Sequence, residues 1–252
     1  MHSIGMYELA GPDDAEALAG DRLDELTDPA IREVAHWARH AHLPGQPPPP
    51  ATGAAASELV AVVVLFHYLS RMVNVFLTTP LLSNRLQGNA RRRVKHGVAR
   101  ILRPTLYGDF RPGAALDLLP DQPLPPDTGW AAGSPVVAGA VARAAAAFET
   151  AGRESLTEPV REVVRARLAA WRGEEPGISR GWLDEAVASL PARDRPTARF
   201  VLLTALASYQ VDDTVVDGFR GVAPDDAALV GAAAWASFAA ARRVGERWSD
   251  LG

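Results

Sequence analysis

SELVAVVVLFHYLSRMVNVFL, Ser57 to Leu77, decides how the rest of the chain is read. It is long, apolar and free of Gly and Pro, so it predicts a helix rather than a buried strand. A nearly continuous apolar run implies a helix buried on most sides, with the chain organised around it. His67, Arg71 and Asn74 interrupt it at spacing i, i+4, i+7, which puts all three on one helical face. Polar groups inside a core must find partners, because burying them bare is costly. The stripe is therefore either a satisfied internal network or the wall of a site.

Outward from that helix the punctuation is helical throughout. LTDPAIREVAHWARHAH offers Thr27 or Asp28 as a cap and Pro29 in the first turn, with a helix to about His40. The prolines from Pro44 to Pro50 make a stiff connector into the central helix. NARRRVKHGVARILRP, from Asn89 to Pro104, reads as a basic helix. Residues 104–133 are rich in Pro, Gly and Asp without periodicity, as expected of a surface loop or a linker. Ser134 and Pro135 then start a helix ending near Gly152, and Thr157 and Pro159 start one running to Trp171. SRGWLDEAVASL is a short helix, Asp194 and Pro196 open ARFVLLTALASYQ, Asp212 or Asp213 opens a short one, and Pro224 opens the last long one. Strand signals are scarce. The expected class is all-α, with an N-terminal half over 1–103, a connector over 104–133 and a C-terminal half over 134–252.

The two halves echo one another. LTDPAIREV followed by SELVAVVVLFHYLSRMV parallels VDDTVVDGF followed by AALVGAAAWASFAAARRV. Asp28 matches Asp213, and Ser70-Arg71-Met72-Val73 matches Ala241-Arg242-Arg243-Val244. The expectation is that the two long helices pack together.

Composition narrows the chemistry. The 252 residues are 48% hydrophobic, enough for a sizeable core, and carry a net charge of −4, which gives no general attraction to nucleic acid or an anionic membrane. There is no cysteine, so disulfides, thiolate catalysis and Cys-ligated metals are excluded. The first twenty residues lack the pattern of a secretory signal. The apolar run 59–66 is too short to span a bilayer, and Arg71 and Asn74 spoil its extension. A soluble, cytoplasmic protein is expected.

Three stretches carry a family resemblance: LTEPVREVVRARLAAWRG, then LLTALASYQVDDTVVDGFRGVAPDDAALVGAAAWASFAAARRVG, then FHYLSRMVNVF as a second copy of the closing helix. Over about residues 22–80 and 134–248 the chain resembles the alkylhydroperoxidase AhpD and carboxymuconolactone decarboxylase superfamily. The resemblance implies the AhpD-like helical fold, and a helix with an inward-facing Glu, which would be Glu162. It also implies association through helices, hence a homo-oligomer, dimer or trimer. AhpD-type peroxidases carry Cys-x-x-Cys-x-x-x-His after that Glu. Counting from Glu162, those places fall near Glu174, Gly177 and Gly181, none of them Cys or His. Peroxide reduction of that type needs an attacking thiolate and a resolving thiol, and the chain has neither.

The first candidate site is His67, Tyr68, Arg71 and Asn74 in a pocket between long helices. Arg71 would hold a carboxylate and His67 would move a proton. One turn from Arg71, His67 is favoured neutral, as suits a general base. The structural alternative is Arg71 paired with an acidic residue of a neighbouring helix. His36, His40 and His42 are a second candidate: His36 and His40 share a helical face, and an approach of His67 from the next helix would make a Zn, Fe or Cu site, against an exposed helix end that suits His. Glu162 with Arg161 or Arg165 is either inward-facing or a structural ion pair. Tyr209, Asp212 and Asp213 sit at a helix junction where capping suffices. Arg91, Arg92, Arg93, Lys95, Arg100 and Arg103 have no interleaved aromatics, and read as a solvated or inter-subunit face rather than a nucleic-acid surface. Arg242 and Arg243 look structural.

Two function classes stay open. One is a cysteine-free enzyme acting by acid–base chemistry on a small acidic or carbonyl-containing molecule, with no metal and no cofactor. The other is a non-catalytic relative that uses the fold for ligand binding or assembly.

Overall fold

A computed structural model of the chain describes residues 12–77 and 111–251. The basic stretch around Arg91–Arg103 lies outside the described residues. Those described are helical with no strand among them, so the all-α expectation holds. Residues 12–40 and 111–114 belong to one compact unit, and residues 41–77 and 115–251 to another.

The first unit holds α1 (Pro12–Ala19) and α2 (Pro29–His40). Asp28 starts α2: its Oδ1 accepts from the Ala30 N–H at 2.8 Å. Ala17, Leu23 and Leu26 form its small core, with Leu18, Ile31 and Ala35 packed on it.

The second unit holds α3 (Gly53–Phe76), α4 (Pro135–Ser155), α5 (Glu158–Ala170), α6 (Gly181–Ala186), α7 (Arg195–Leu206), α8 (Asp213–Arg220) and α9 (Asp226–Gly245). Side-chain caps fix three of the starts. Ser134 accepts from the Val137 N–H, Asp212 from Val215 and Asp225 from Ala227. At the other boundary of interest, α7 stops at Leu206. Ala207 is non-helical, and Ser208–Gln210 forms a separate 3₁₀ turn. The continuous helix to Gln210 expected from sequence is therefore broken, and the break aims Ser208 and Tyr209 differently from the helix before them.

The expected pairing of long helices is present, since α3 packs along α9. The centre of the unit, however, is α9. It packs against α3, α4, α5 and α7, and Ala232, Ala233, Ala236, Ala240 and Ala241 on it are fully buried. Small side chains let four neighbours approach one axis closely. Trp235 and Phe238 fill the wider gaps.

α3 departs from expectation. It was expected to be buried on most sides, but it is buried on one. Ala56, Ser57, Val60, Val63, Val64, Arg71 and Val75 face inward, while Val62, Leu65, Phe66, Leu69, Val73 and Phe76 remain exposed. The length reading of this helix is corrected too. At 24 residues it is long and apolar enough, by length and composition, to cross a membrane. The polar objection has a structural counterpart, because Arg71 and Asn74 hydrogen-bond to Ala205 and Ser208.

Part of the Pro/Gly-rich segment is also ordered into the unit. Pro126–Ala131 is a 3₁₀ helix packed against Glu246–Leu251, and its Trp130 is buried. Arg242 pairs with Asp127 there, and Ser249 donates to the Asp127 carbonyl at 2.9 Å.

Candidate functional site

The inward half of the polar stripe meets the break between α7 and α8. Arg71 is only 9% exposed. Its Nε donates to the Ala205 carbonyl at 2.8 Å and its Nη1 to the His67 carbonyl at 2.9 Å. The Ala205 carbonyl lies in the last turn of α7, where carbonyls lack a helical partner, so the guanidinium ties α3 to the C-terminus of α7. The Asn74 amide donates to Ser208 Oγ at 3.0 Å one turn further on. Among the described residues no carboxylate lies within ion-pair distance of Arg71. The structural alternative expected from sequence, an acidic partner on the next helix, is not found; the partners are backbone carbonyls. Burial alone pulls the Arg71 guanidinium down to about 10, so it stays charged at neutral pH.

His67 lies one turn back. Its ring nitrogen Nδ1 is 3.3 Å from Arg71 Nη1. Arginine only donates, so Nδ1 accepts, and in the neutral ring the proton then sits on Nε2. Burial, then the positive charge of Arg71, then His42 and Arg247, push the imidazolium down to about 3. The ring is therefore neutral, as expected from its neighbour. With Nδ1 accepting from Arg71, the N–H of the neutral ring is on Nε2.

These groups line a cavity of about 240 Å³ together with His42, Ser70, Trp171, Glu174, Glu175, Leu206, Ser208 and Tyr209. The Trp171 ring faces the guanidinium, with Arg71 Cζ 5.9 Å from its centroid. Its indole N–H is held by the Glu174 carbonyl at 2.7 Å. The Tyr209 hydroxyl donates to the Gly177 carbonyl at 3.1 Å. Gly173 is required where it stands. It has φ +102°, and a Cβ there would collide with the His42 carbonyl, so this close approach sets the cavity's edge.

Two expected members are elsewhere. Tyr68 follows His67 by about 100° around the helix. Its ring packs on Phe148 and Phe238, at centroid distances of 5.0 and 6.2 Å, and burial raises its hydroxyl above the usual range. Glu162 is exposed, while its neighbour Arg161 is buried and paired with Glu149 and Glu158. The inward positions of α5 are Val160, Arg161, Val164 and Leu168, which turns Glu162 outward. The metal alternative gains no ligand cluster: among the described residues no group of three His, Cys, Asp or Glu side chains is placed to hold an ion. Instead His36 Nε2 lies 3.2 Å from Asp24, and His40 Nδ1 lies 2.8 Å from the His36 carbonyl.

Sequence reasoning did not place Trp171, Ser208, Glu174 and Glu175 in a site. The two signals available were the helix stop after Trp171 and the polar Ser-Tyr-Gln interruption after α7. Glu174 also occupies the place where counting from Glu162 put the first cysteine of the AhpD-type motif.

Comparison with known proteins then fixes the lineage. The chain is 37% identical over 244 residues to an alkyl hydroperoxide reductase of Mycobacterium tuberculosis, a match covering 97% of this chain and 70% of the relative. The chain belongs to the AhpD-like and carboxymuconolactone decarboxylase superfamily. No family model matches it. No solved structure matches it. Within the superfamily it is a cysteine-free, all-α member, so thiol chemistry has no residue to run on.

Proposed function

We propose that this AhpD-like chain is a non-thiol enzyme that binds a small acidic or carbonyl-containing molecule in the cavity at Arg71 and His67. The observation that carries the reading is a buried, charged guanidinium on a cavity wall with no carboxylate partner among the described residues. A buried cation without a counter-ion gains strongly from an anionic ligand, because the surrounding dielectric is low. Arg71 would hold the ligand's carboxylate. His67 would present its Nε2–H to a carbonyl or developing oxyanion, which a neutral imidazole does without a proton having to leave first. His67 then acts as a hydrogen-bond donor that keeps its proton, and Asn74 and Ser208 line the same cavity. The reductase activity in the relative's name does not transfer through a thiol, since this chain has none.

The test is a titration of small carboxylates and 2-oxo acids, pyruvate among them, against the chain and Arg71→Lys. Lysine keeps the charge but not the planar set of donors. The expected result is affinity lowered tenfold or more in the variant, about 1.4 kcal/mol, with melting temperature changed by only a few degrees. If carboxylates with and without a 2-oxo or 2-amino group all leave the wild-type melting temperature and amide spectrum untouched at millimolar concentration, the reading is sunk.

A second observation supports the assembly class. The exposed Val62, Leu65, Phe66, Leu69, Val73 and Phe76 of α3 form an apolar face, with Glu58 at its N-terminal end. We infer a homo-oligomer formed through it, whether or not the cavity is catalytic.

A further inference from the structure

The cavity that holds Arg71 also carries the opposite charge. Glu174 and Glu175 line it, and both are exposed, so they stand toward its mouth while Arg71 stands at its buried wall; Glu174 Oε2 accepts from the Arg172 N–H at 3.0 Å, which leaves its other oxygen and Glu175 for a ligand. Between the two ends lie Trp171 and Leu206, which offer apolar surface. The volume of about 240 Å³ suits a small molecule rather than a polymer.

This polarity discriminates among ligands. A simple carboxylate can reach Arg71 only by lying close to two carboxylates, and like charge in a narrow site works against it. A simple amine meets Glu174 and Glu175 but brings its charge toward Arg71. A molecule carrying both groups satisfies each end and adds no net charge. Its remaining atoms fall against Trp171, whose ring orientation is held by the Glu174 carbonyl.

Resting on the reading of Arg71 as the carboxylate anchor, we propose that the ligand is a small zwitterion of the α-amino-acid class. Its carboxylate sits on Arg71, its ammonium on Glu174 and Glu175, and its side chain on Trp171 and Leu206. In this arrangement the two glutamates serve recognition, and the neutral His67 Nε2–H remains available to the carboxylate or to a neighbouring carbonyl.

The experiment pairs each amino acid with its deamino acid: alanine with propionate, leucine with 4-methylpentanoate, phenylalanine with 3-phenylpropionate. Binding is measured by calorimetry on the full chain at neutral pH and low salt, beside Glu174→Gln/Glu175→Gln and Arg71→Lys. Both glutamates are exposed, so the double variant keeps the fold, which its melting curve checks. The expected result is at least one amino acid bound tenfold or more tightly than its deamino partner. That preference disappears in the double glutamine variant, while the deamino acid binds there as well as before or better. Deamino acids that bind through Arg71 as tightly as the amino acids, or a preference that survives in the double variant, overturn the zwitterion and leave the carboxylate anchor standing. Absence of binding by every probe, or binding indifferent to Arg71→Lys, overturns both.

Discussion

The two long helices, α3 and α9, have reversed roles relative to their hydrophobicity. α3 is built from Val, Leu and Phe, yet one whole face of it is exposed, with Val62 at 64% and Phe66 at 50%. α9 is built largely from alanine, yet from Ala232 to Ala241 nearly every position is buried. Burial here follows what a side chain allows its neighbours to do. An alanine surface admits helices on several sides at short axial distance, and each small contact adds dispersion energy. Large side chains hold a second layer further off. They pack closely only against a surface with matching holes. The polar stripe of α3 adds to the contrast, because Arg71 and Asn74 are spent on joining α3 to the end of α7.

The largest effect expected from this contrast lies in α9. Ala236→Leu inserts a branched side chain where no exposure remains. Overpacking of this kind costs about 1–3 kcal/mol, sometimes more, and each kcal/mol lowers the melting temperature by about 2–4 °C in a domain of this size. The measurement is a thermal melt by circular dichroism, with the same substitution at the more open Ala239 as control. A variant as stable as the wild type would mean that α9 is not the packed axis.

A smaller effect is expected from His67, on the polar side of α3. Its folded value, about 3, lies below its ordinary 6.5, so the folded chain resists protonation where the unfolded chain accepts it. The neutral ring therefore contributes stability that is complete above pH 6.5 and is lost progressively as pH falls toward 3. One pH unit below 6.5 the loss is about 1–2 kcal/mol. His67→Gln should be less stable at neutral pH but flatter between pH 7 and 5. Parallel pH profiles in the two chains would remove this account of the ring.

Much of this was legible in the sequence, and the failures share a cause. Caps and breakers fixed helix identity because they act within one turn: Asp28, Ser134 and Asp212 each hold the N–H that their position suggests. The i, i+4, i+7 spacing put His67, Arg71 and Asn74 along one wall because helical period is local as well. Tertiary choice is not local. Glu162 and Arg161 are adjacent, and only the packing of α5 decides that Arg161 goes inward. Tyr68 beside His67 belongs to a different neighbour, the Phe148–Phe238 pair, 80 and 170 residues away in sequence. The internal echo shows the same limit. It matched Arg71 with Arg242, but the arginine that plays the corresponding part in α9 is Arg243. Arg243 Nε donates to the Leu168 carbonyl at the end of α5, as Arg71 does to Ala205 at the end of α7, whereas Arg242 pairs with Asp127. A one-residue offset is invisible to a weak repeat and decisive on a helix, where it is a 100° turn.

The smallest effect on folding, and the sharpest separation of the two helices, is expected on the outward face of α3. Val62, Leu65, Phe66, Leu69, Val73 and Phe76 recur at helical spacing, carry no charge and are each at least 37% exposed. If a second copy covers them, they contribute to association and little to the fold of one chain. Phe66→Gln with Leu69→Gln should then change the unfolding free energy of the isolated chain by about 0.5 kcal/mol or less, as is usual for surface positions. The same pair should lower the mass seen by light scattering at micromolar concentration from a dimer or trimer to a monomer. Two aromatic or leucine anchors at the centre of a helix seam are enough for this, because interface energy concentrates in a few central side chains. The matching substitution on α9, Phe238→Gln, should do the reverse: it removes a ring packed 4.5 Å from Phe148 and unfolds the chain before it changes any assembly. A wild-type monomer would show that no second copy occupies the face. A double variant that melts as severely as Phe238→Gln would show that the face is covered from within the same chain, and the contrast between α3 and α9 would then be one of order of packing rather than of partner.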